Sequence, residues 1–577
     1  MIVLGLNINH GDTSACLIKN GTLIAAVEQE RFVRIKHSSD FPFEAIKFCL
    51  KAAGIDIDDV NYIAVNSNFK YNFTNKFFFL LKNFYKINFI TNRTESILSK
   101  KKLKNILEIL FKKKIKAKCM FIPHHLAHAF STLFFLKKNK NSIIFSFDGS
   151  GDFSTIESFL ISDDKLQLIN KNIFPHSLGL FYTAFTQFAG FPKYGDEYKF
   201  MGLAGYGKPI YYDLIHKAII NKYPFKLNMD CFNLPKVHYS LNVPQTNKFF
   251  SDKFFNFLKS ELNLETISYD HQTIKDLASS VQKLFEDCVL INLEDLKKKY
   301  NSHRLYLAGG CAFNSLLVAK IIESKMFKEV NVNPNPGDAG GAIGSAFYVC
   351  FKENIKIEPE QEIRFTGPSF SKEEIKIEVI DKILIDKNFS VHYIENFEDL
   401  CKKAAEIIKL DGLIFWFQDK MEWGPRALGN RSLLADPSKS NIRTFINQMI
   451  KRRELFRPFA PVVMEEFADR YFNMHGHLSP NMNIVFQAKQ ETIEKYKEVV
   501  HVDNTSRVQT VSEKNNYKLH TLLKEFYKIN ECPMLINTSF NVNEPIVMTP
   551  THAFKTFQKT TIKSLVLGNW LIQRNNN

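Results

Sequence analysis

Four times along this chain an apolar run of strand length ends in a turn built from Asp, Gly or both. The segments are IVLGLNINHGD at 2–12, SIIFSFDGSGD at 142–152, RLYLAGGCAFN at 304–314 and VNVNPNPGDAGG at 330–341. Two of the runs continue into helical patterns, SLLVAK and AIGSAFYV. Repeated strand, Gly/Asp turn and helix units specify an α/β architecture whose turns gather at one end of the sheets. Two hairpins belong to the same plan. Asn20-Gly21 separates SACLIK from TLIAAVEQE, and STIESFLISDDKLQLIN follows the second Asp/Gly turn. Asn-Gly between apolar runs is a strong hairpin signal because both residues tolerate positive φ.

At 577 residues the chain is too long for one core, so two or three domains are expected. The Pro-, Gly- and charge-rich stretch ENIKIEPEQEIRFTGPSFS at 353–371 predicts a boundary, giving domains at 1–355 and 356–577. Beyond it a helix (EDLCKKAAEIIKL) and a strand (GLIFWF) open a second α/β domain. Nine scattered cysteines without a CxxC pair suit reduced thiols, and the N-terminus lacks the pattern of a secretory signal, so a cytoplasmic protein is expected. The net charge of +16 is concentrated: residues 70–118 hold fourteen Lys/Arg against two Glu. This aromatic- and lysine-rich insertion predicts one or two basic amphipathic helices. It reads either as a solvated face or as a contact for a membrane surface or an anionic substrate. With the charge so localised, no nucleic-acid partner is expected.

Chemistry concentrates in a few places. In FIPHHLAHAF, His124 and His128 stand at i and i+4, on one face of a helix. Joined by Asp148 and Asp338 from the acidic turns, they would form a mixed N/O site suited to Fe(II), Mn(II) or Zn(II). The absence of thiolates speaks against a structural zinc site. Glycines in the turns, Gly149, Gly151, Gly309 and Gly310, leave backbone amides available to phosphate oxygens, with Asp12 as a further acidic turn residue. In the second half, Arg426, Arg431, Lys451, Arg452, Arg453, Arg457 and Arg507 supply cations for phosphates and carboxylates. Asn537, Ser539 and Asn541 offer short polar groups of the kind that hold a ribose or a triphosphate. His10, in NHGDTSA, is either a buried structural imidazole or a base for an alcohol.

The acidic turns together with Gly309-Gly310 resemble the actin, hexokinase and Hsp70 superfamily. Longer motifs narrow this. HHLAHA, FDGSGD, DEYKFMGLAGYG at 196–207, GGCAFN at 309–314 and NPGDAGGAIGSA at 335–346 resemble the NodU/CmcH family of O-carbamoyltransferases. So do WGPRALGNRSLLADP at 423–437, FRPFAPVV at 456–463, HVDNTSRVQTV at 501–511 and NTSFNVNEPIV at 537–547. The resemblance implies a duplicated ribonuclease H-like N-terminal domain (actin/Hsp70-type, Kae1-like) followed by a YrdC-like α/β C-terminal domain. It implies an ATP-dependent reaction in which carbamoyl phosphate and ATP, with Mg, give carbamoyl adenylate, whose carbamoyl group passes to a hydroxyl of a sugar-containing or natural-product acceptor. His10 is then the base of the transfer step, with Lys36 and His37 of ERFVRIKH facing the same cleft. His124, His128, Asp148 and Asp338 hold iron. Asp12, Gly149, Gly151, Lys199, Gly309, Gly310, Asn314, Asn537, Ser539 and Asn541 contact nucleotide. Arg426, Arg431, Arg457 and Arg507 bind carbamoyl phosphate.

The chain departs from the family pattern where Tyr198 replaces a Gly between Glu197 and Lys199, and residues 70–118 are the chief region the resemblance does not explain. A homodimer is a further option. Two other readings stand beside this one: a tRNA threonylcarbamoyladenosine-type transferase, and a non-catalytic sugar- or nucleotide-binding protein with an inherited fold.

Overall fold

In a computed structural model, residues 1–82, 102–132, 141–162, 165–233, 248–358 and 361–575 are described. The chain forms two compact units: residues 1–30 with 37–361, and residues 31–36 with those from Glu362 onward. The second unit therefore begins six residues beyond the boundary expected at 355/356, and it takes in a short segment from near the N-terminus. Nothing in the composition of Arg31–Lys36 signals that grouping, because it is made by tertiary contacts.

The N-terminal unit contains two five-stranded sheets of one design. The first comprises β1 (Ile2–Asn7), β2 (Ser14–Lys19), β3 (Thr22–Glu28), β4 (Tyr62–Val65) and β5 (Lys118–Phe121), in the order β3-β2-β1-β4-β5. β1, β2 and β3 pair antiparallel, whereas β4 and β5 run parallel to β1. The second comprises β6 (Ser142–Gly151), β7 (Ser154–Ser162), β8 (Lys165–Ile173), β11 (Arg304–Ala308) and β12 (Glu329–Val332). Its order is β8-β7-β6-β11-β12, with the same alternation of antiparallel and parallel pairs. A two-stranded ribbon, β9 (Ile219–Asn221) and β10 (Lys226–Leu227), lies between β8 and β11 in the chain. The repeat of order and direction is the duplicated ribonuclease H-like arrangement that the sequence predicts. The Asn20-Gly21 hairpin forms between β2 and β3, both residues taking positive φ.

Eight helices of this unit matter below: α1 (Phe73–Lys82), α2 (Leu103–Phe111), α3 (His124–Phe130), α4 (Leu178–Phe188), α5 (Glu197–Ala204), α6 (Gln272–Tyr300), α7 (Ser315–Glu323) and α8 (Gly340–Lys352). The helices α1 and α2 lie in the basic insertion, whose residues 83–101 fall outside the described residues. In each half a helix follows the last strand: α3 after β5 and α8 after β12. These two helices pack on each other at very short range. A Cβ placed on Gly344 would lie 1.7 Å from the Ala127 carbonyl oxygen, so only glycine fits. Gly5 makes the same allowance between β1 and α8, where a Cβ would stand 2.2 Å from the Ala342 carbonyl oxygen.

The C-terminal unit is built on a nine-stranded mixed sheet. Its strands are β13 (Phe389–Tyr393), β14 (Leu413–Phe417), β15 (Arg431–Ala435), β16 (Ala460–Met464), β17 (Ile484–Gln487), β18 (Thr505–Val511), β19 (Met534–Ser539), β20 (Ser564–Leu567) and β21 (Trp570–Arg574). The order is β13-β21-β20-β14-β15-β19-β16-β18-β17. Helices α9 (Phe397–Asp411) and α10 (Tyr517–Asn530) pack on each other, burying faces that include Leu400, Ala404 and Ile408 of α9 and Leu519, Leu522 and Phe526 of α10. Within this unit Arg31 donates to the Gly424 carbonyl at 2.7 Å and Arg34 to the Ile546 carbonyl at 2.7 Å, while Phe32 packs against Met421, Ile546 and Met548. All nine cysteines are free thiols.

The α3–α8 contact leaves no room for a side chain, and the backbone carbonyl opposite cannot swing aside. Gly344→Ala is expected to destabilise the N-terminal unit by about 1–3 kcal/mol, read as a lower midpoint of urea unfolding by circular dichroism.

Candidate active site: a four-ligand cluster and a cationic constellation

The strand-end turns bring four ligand residues together in the N-terminal unit. His124 and His128 lie on α3, Asp148 near the end of β6, and Asp338 in the turn before α8. Their ligand atoms lie within 4.8 Å of one another. The two Nε2 atoms are 3.0 Å apart. His124 Nε2 stands 3.9 Å from Asp148 Oδ2 and 3.4 Å from Asp338 Oδ1, and His128 Nε2 stands 3.3 Å and 3.6 Å from the same atoms. A cation bound tetrahedrally at about 2.1 Å by N and O ligands separates them by about 3.4 Å, so the residues present fit such an ion. Their chemistry, two imidazoles and two carboxylates, suits a divalent transition metal. Both histidines are buried. Burial pulls His128 down, but hydrogen bonds and charges from Asp148 and Asp338 outweigh it and push the group up to about 9. Burial pushes Asp148 up, yet His124 and His128 hold it well below the usual carboxylate range.

Supporting contacts fix this geometry. Asp152 Oδ2 accepts from the His124 backbone N–H at 2.9 Å and from Asn68 N–H at 2.6 Å, while Oδ1 accepts from the Ser67 hydroxyl at 2.8 Å. Asp152 thus anchors the start of α3. The sequence reading passed over it, although the second Asp of FDGSGD was the available signal. His125 lies 2.8 Å from the Ser146 hydroxyl, and burial, with His124 and His128 beside it, holds it neutral, well below the usual imidazole range.

Several glycines serve this cluster. The Gly149 and Gly310 amides donate to Asp148 Oδ1 and Oδ2 at 2.6 and 2.8 Å, so the two N–H groups expected to meet phosphate hold the ligand carboxylate. Gly151 makes room for the His124 ring, which a Cβ would overlap at 1.9 Å. Gly309, at φ 89°, lets the chain pass the Phe147 carbonyl. Asn314 caps α7 by accepting from Leu317 N–H at 3.0 Å, and its amide donates to Gln282 at 3.0 Å. Lys199 pairs with Asp196 at 2.9 Å.

Beside the cluster, the His10 ring lies 5.4 Å from that of His124, centroid to centroid. Asp12 engages His37, with Oδ1 2.8 Å from Nδ1, and Glu30 accepts from the His37 backbone N–H at 2.9 Å. Tyr194 meets His37 edge-on at 5.4 Å, and burial raises its hydroxyl well above the ordinary range, with Asp338, Asp12 and Asp148 adding to the effect. Lys36, expected to share this neighbourhood, groups with the C-terminal unit.

In that unit several of the cations singled out in the sequence lie near one another, whereas Arg431 does not join them. Burial lowers Arg507 well below the ordinary guanidinium range, and Arg426, Arg453 and Arg457 lower it further. Lys451 is buried and likewise lowered, first by burial and then by Arg453, Lys36 and Arg457. Its ammonium donates to the Ser539 and Asn541 carbonyls and, at 2.7 Å, to Asn541 Oδ1. The Ser539 hydroxyl donates to the same Oδ1 at 2.8 Å. Asn537 donates to Gln509 and to the Ala427 carbonyl. Arg431 is the exception. It is fully buried, stacks 3.6 Å over Phe417, and donates to the carbonyls of Gln418, Asn430, Pro368 and Asp419. Every one of those acceptors is backbone, so Arg431, expected from the resemblance to bind carbamoyl phosphate, here ties loops together.

Truncation of Arg431 would remove its hydrogen bonds to four backbone carbonyls, those of Gln418, Asn430 and Pro368 on buried residues, and its packing on Phe417. Arg431→Ala is expected to cost about 3–5 kcal/mol of stability, seen as loss of soluble protein or a lowered unfolding midpoint.

Comparison with known proteins agrees with this architecture. Residues 2–347 match the family described as carbamoyltransferase N-terminus, and residues 405–574 match carbamoyltransferase C-terminus. An uncharacterized protein of Synechocystis sp. is 34% identical over 99% of this chain and 96% of its own. Nodulation protein NolNO of Sinorhizobium fredii is 33% identical over 98% of this chain and 79% of its own. Nodulation protein NolO of Bradyrhizobium diazoefficiens is 32% identical over 78% of each. With both domains matched in sequence and laid out in the structure, the chain belongs to the carbamoyltransferase family and is a carbamoyl-transferring enzyme.

Proposed function

We propose that this enzyme is an ATP-dependent O-carbamoyltransferase that divides activation and transfer between its two units. The observation that carries the proposal is the convergence of Arg426, Arg453, Arg457 and Arg507 beside buried Lys451. Cations gathered around a buried lysine favour a ligand with several negative charges, and carbamoyl phosphate with ATP supplies them. A carbamoyl group is resonance-stabilised and a poor electrophile, so it needs a good leaving group. In the C-terminal unit, water releases phosphate from carbamoyl phosphate to leave carbamate. A carbamate oxygen then attacks the α-phosphorus of ATP, pyrophosphate departs, and carbamoyl adenylate remains. Lys36, brought into this unit by the Arg31–Lys36 segment, adds a cation to the same site.

In the N-terminal unit the acceptor hydroxyl attacks the carbamoyl carbon and AMP leaves, its bond electrons staying on the phosphate. His10 takes the hydroxyl proton on an imidazole nitrogen. His124, His128, Asp148 and Asp338 would hold a divalent metal, iron by family resemblance with Mn or Zn as alternatives, which supplies positive charge for a phosphate oxygen. Asp152 keeps α3 in place for that set. The Asp12–His37 pair and Tyr194 border the space where an acceptor would lie. The acceptor is a hydroxyl of a sugar-containing or natural-product molecule.

The metal assignment predicts that His124→Ala and Asp338→Ala each lower Fe(II) affinity by more than about tenfold. Asp152→Ala, which touches only the backbone of a ligand, should lower it by about tenfold. Inductively coupled plasma mass spectrometry after anaerobic reconstitution measures both.

The division of labour is tested by ATP–pyrophosphate exchange dependent on carbamoyl phosphate. Arg426→Ala is expected to lower exchange by about a hundredfold or more, while His10→Ala keeps it and loses transfer. Equal loss of both activities in His10→Ala would overturn the assignment. Exchange supported by bicarbonate and threonine in place of carbamoyl phosphate would favour a threonylcarbamoyl transferase.

A further inference from the structure

The basic insertion carries an observation that neither unit's chemistry uses. Helix α1, FTNKFFFLLK, has no buried side chain. Phe79 directs it onto the body of the N-terminal unit, meeting Phe153 at 5.3 Å and Phe174 at 5.6 Å between ring centroids. The other face is turned outward: Phe73 is 68% exposed, Phe77 49%, Phe78 60% and Leu81 54%. Positions 73, 77 and 81 form one i, i+4, i+8 row, with 78 next to it. Four large apolar side chains on one short exposed helix are unusual on a soluble surface. In α2, Ile109 is 75% and Leu110 37% exposed.

Charge decides which partner fits this face. Lys70 and Lys82 bracket α1, and both are exposed. Lys102, Lys104, Lys112 and Lys114 surround α2 in sequence, and the acidic residues of segment 70–118 number only two. A protein partner would meet an apolar face with a polar rim. Phenylalanines outward with lysines around them match the interfacial zone of an anionic bilayer, where rings enter the headgroup–acyl boundary and ammonium groups meet lipid phosphates. Among the described residues no helix is long and apolar enough to cross a membrane, so the contact is peripheral. We propose that α1 docks this enzyme on the surface of an anionic lipid bilayer, through Phe73, Phe77, Phe78 and Leu81 with Lys70 and Lys82 at the rim.

The test is vesicle flotation of the full chain with phosphatidylcholine alone and with phosphatidylcholine containing one-quarter phosphatidylglycerol. Binding is expected only to the anionic vesicles and should weaken as salt rises from 0.1 to 0.5 M. Phe77→Glu/Phe78→Glu should reduce partitioning by at least about tenfold, while ATP–pyrophosphate exchange and circular dichroism stay unchanged. Lys70→Gln/Lys82→Gln should weaken binding and flatten its salt dependence. Absence of binding to anionic vesicles overturns the proposal, as does binding indifferent to lipid charge. A concentration-dependent dimer in size-exclusion chromatography with light scattering, abolished by Phe77→Glu/Phe78→Glu in the absence of vesicle binding, would assign the face to a second copy of the chain instead.

Discussion

The approach of α3 to α8 is the contact on which the N-terminal unit depends. Each helix follows the last strand of its own ribonuclease H-like half, and Gly344 lets the two backbones come together where any side chain would collide. That closeness carries His124 and His128 from one half toward Asp338 from the other. Asp148, at the end of the central strand of the second half, completes the set. The four-residue cluster thus draws on both halves: strand ends brought together supply His124 and His128 from one and Asp148 and Asp338 from the other. Glycines near the cluster serve it too, two by donating amides to Asp148 and one by clearing space for the His124 ring.

The C-terminal unit stores electrostatic tension of the opposite sign. Arg426, Arg453 and Arg457 add to burial in lowering the basicity of Arg507, as Arg453, Lys36 and Arg457 do for Lys451, and the unit holds Lys451 through carbonyl and amide oxygens from β19 and the turn after it. Such an arrangement is more favourable with a polyanion present than without one, since an incoming phosphate offsets the repulsion and replaces lost hydration. Arg431 shows the contrast. Its charge is spread over four carbonyls and the face of Phe417. Two arginines five residues apart in one motif therefore do different work, one facing other cations and one stitching loops.

Much of this was legible in the sequence because the signals are local. Alternating apolar runs with Asp/Gly turns gave the strands, Asn20-Gly21 gave its hairpin, and the i, i+4 spacing of His124 and His128 gave a shared helical face. The rest was not legible, for a common reason. Gly149 and Gly310 offer free amides on paper, but whether an amide meets a phosphate or a carboxylate depends on which side chain arrives there. Arg431 and Arg426 look alike in GPRALGNRS, and only packing separates them. Lys36 lies one residue from His37, yet the two belong to different units because Arg31, Phe32 and Arg34 make their contacts beyond residue 362.

The sequence by itself determined the α/β class, since hydrophobic period and turn residues are properties of neighbouring positions, and its long motifs carried the resemblance that implies the duplicated ribonuclease H-like plan and the carbamoyltransferase family. Only the tertiary structure decided which polar groups meet which. It joined Asp152 to the backbone of His124, Asp12 to His37, and Lys451 to Ser539 and Asn541, and it turned Phe73, Phe77 and Phe78 of α1 outward while seating Phe79 on the unit's body. Partners separated by tens or hundreds of residues are chosen by backbone approach and by burial, and neither is written in local spacing.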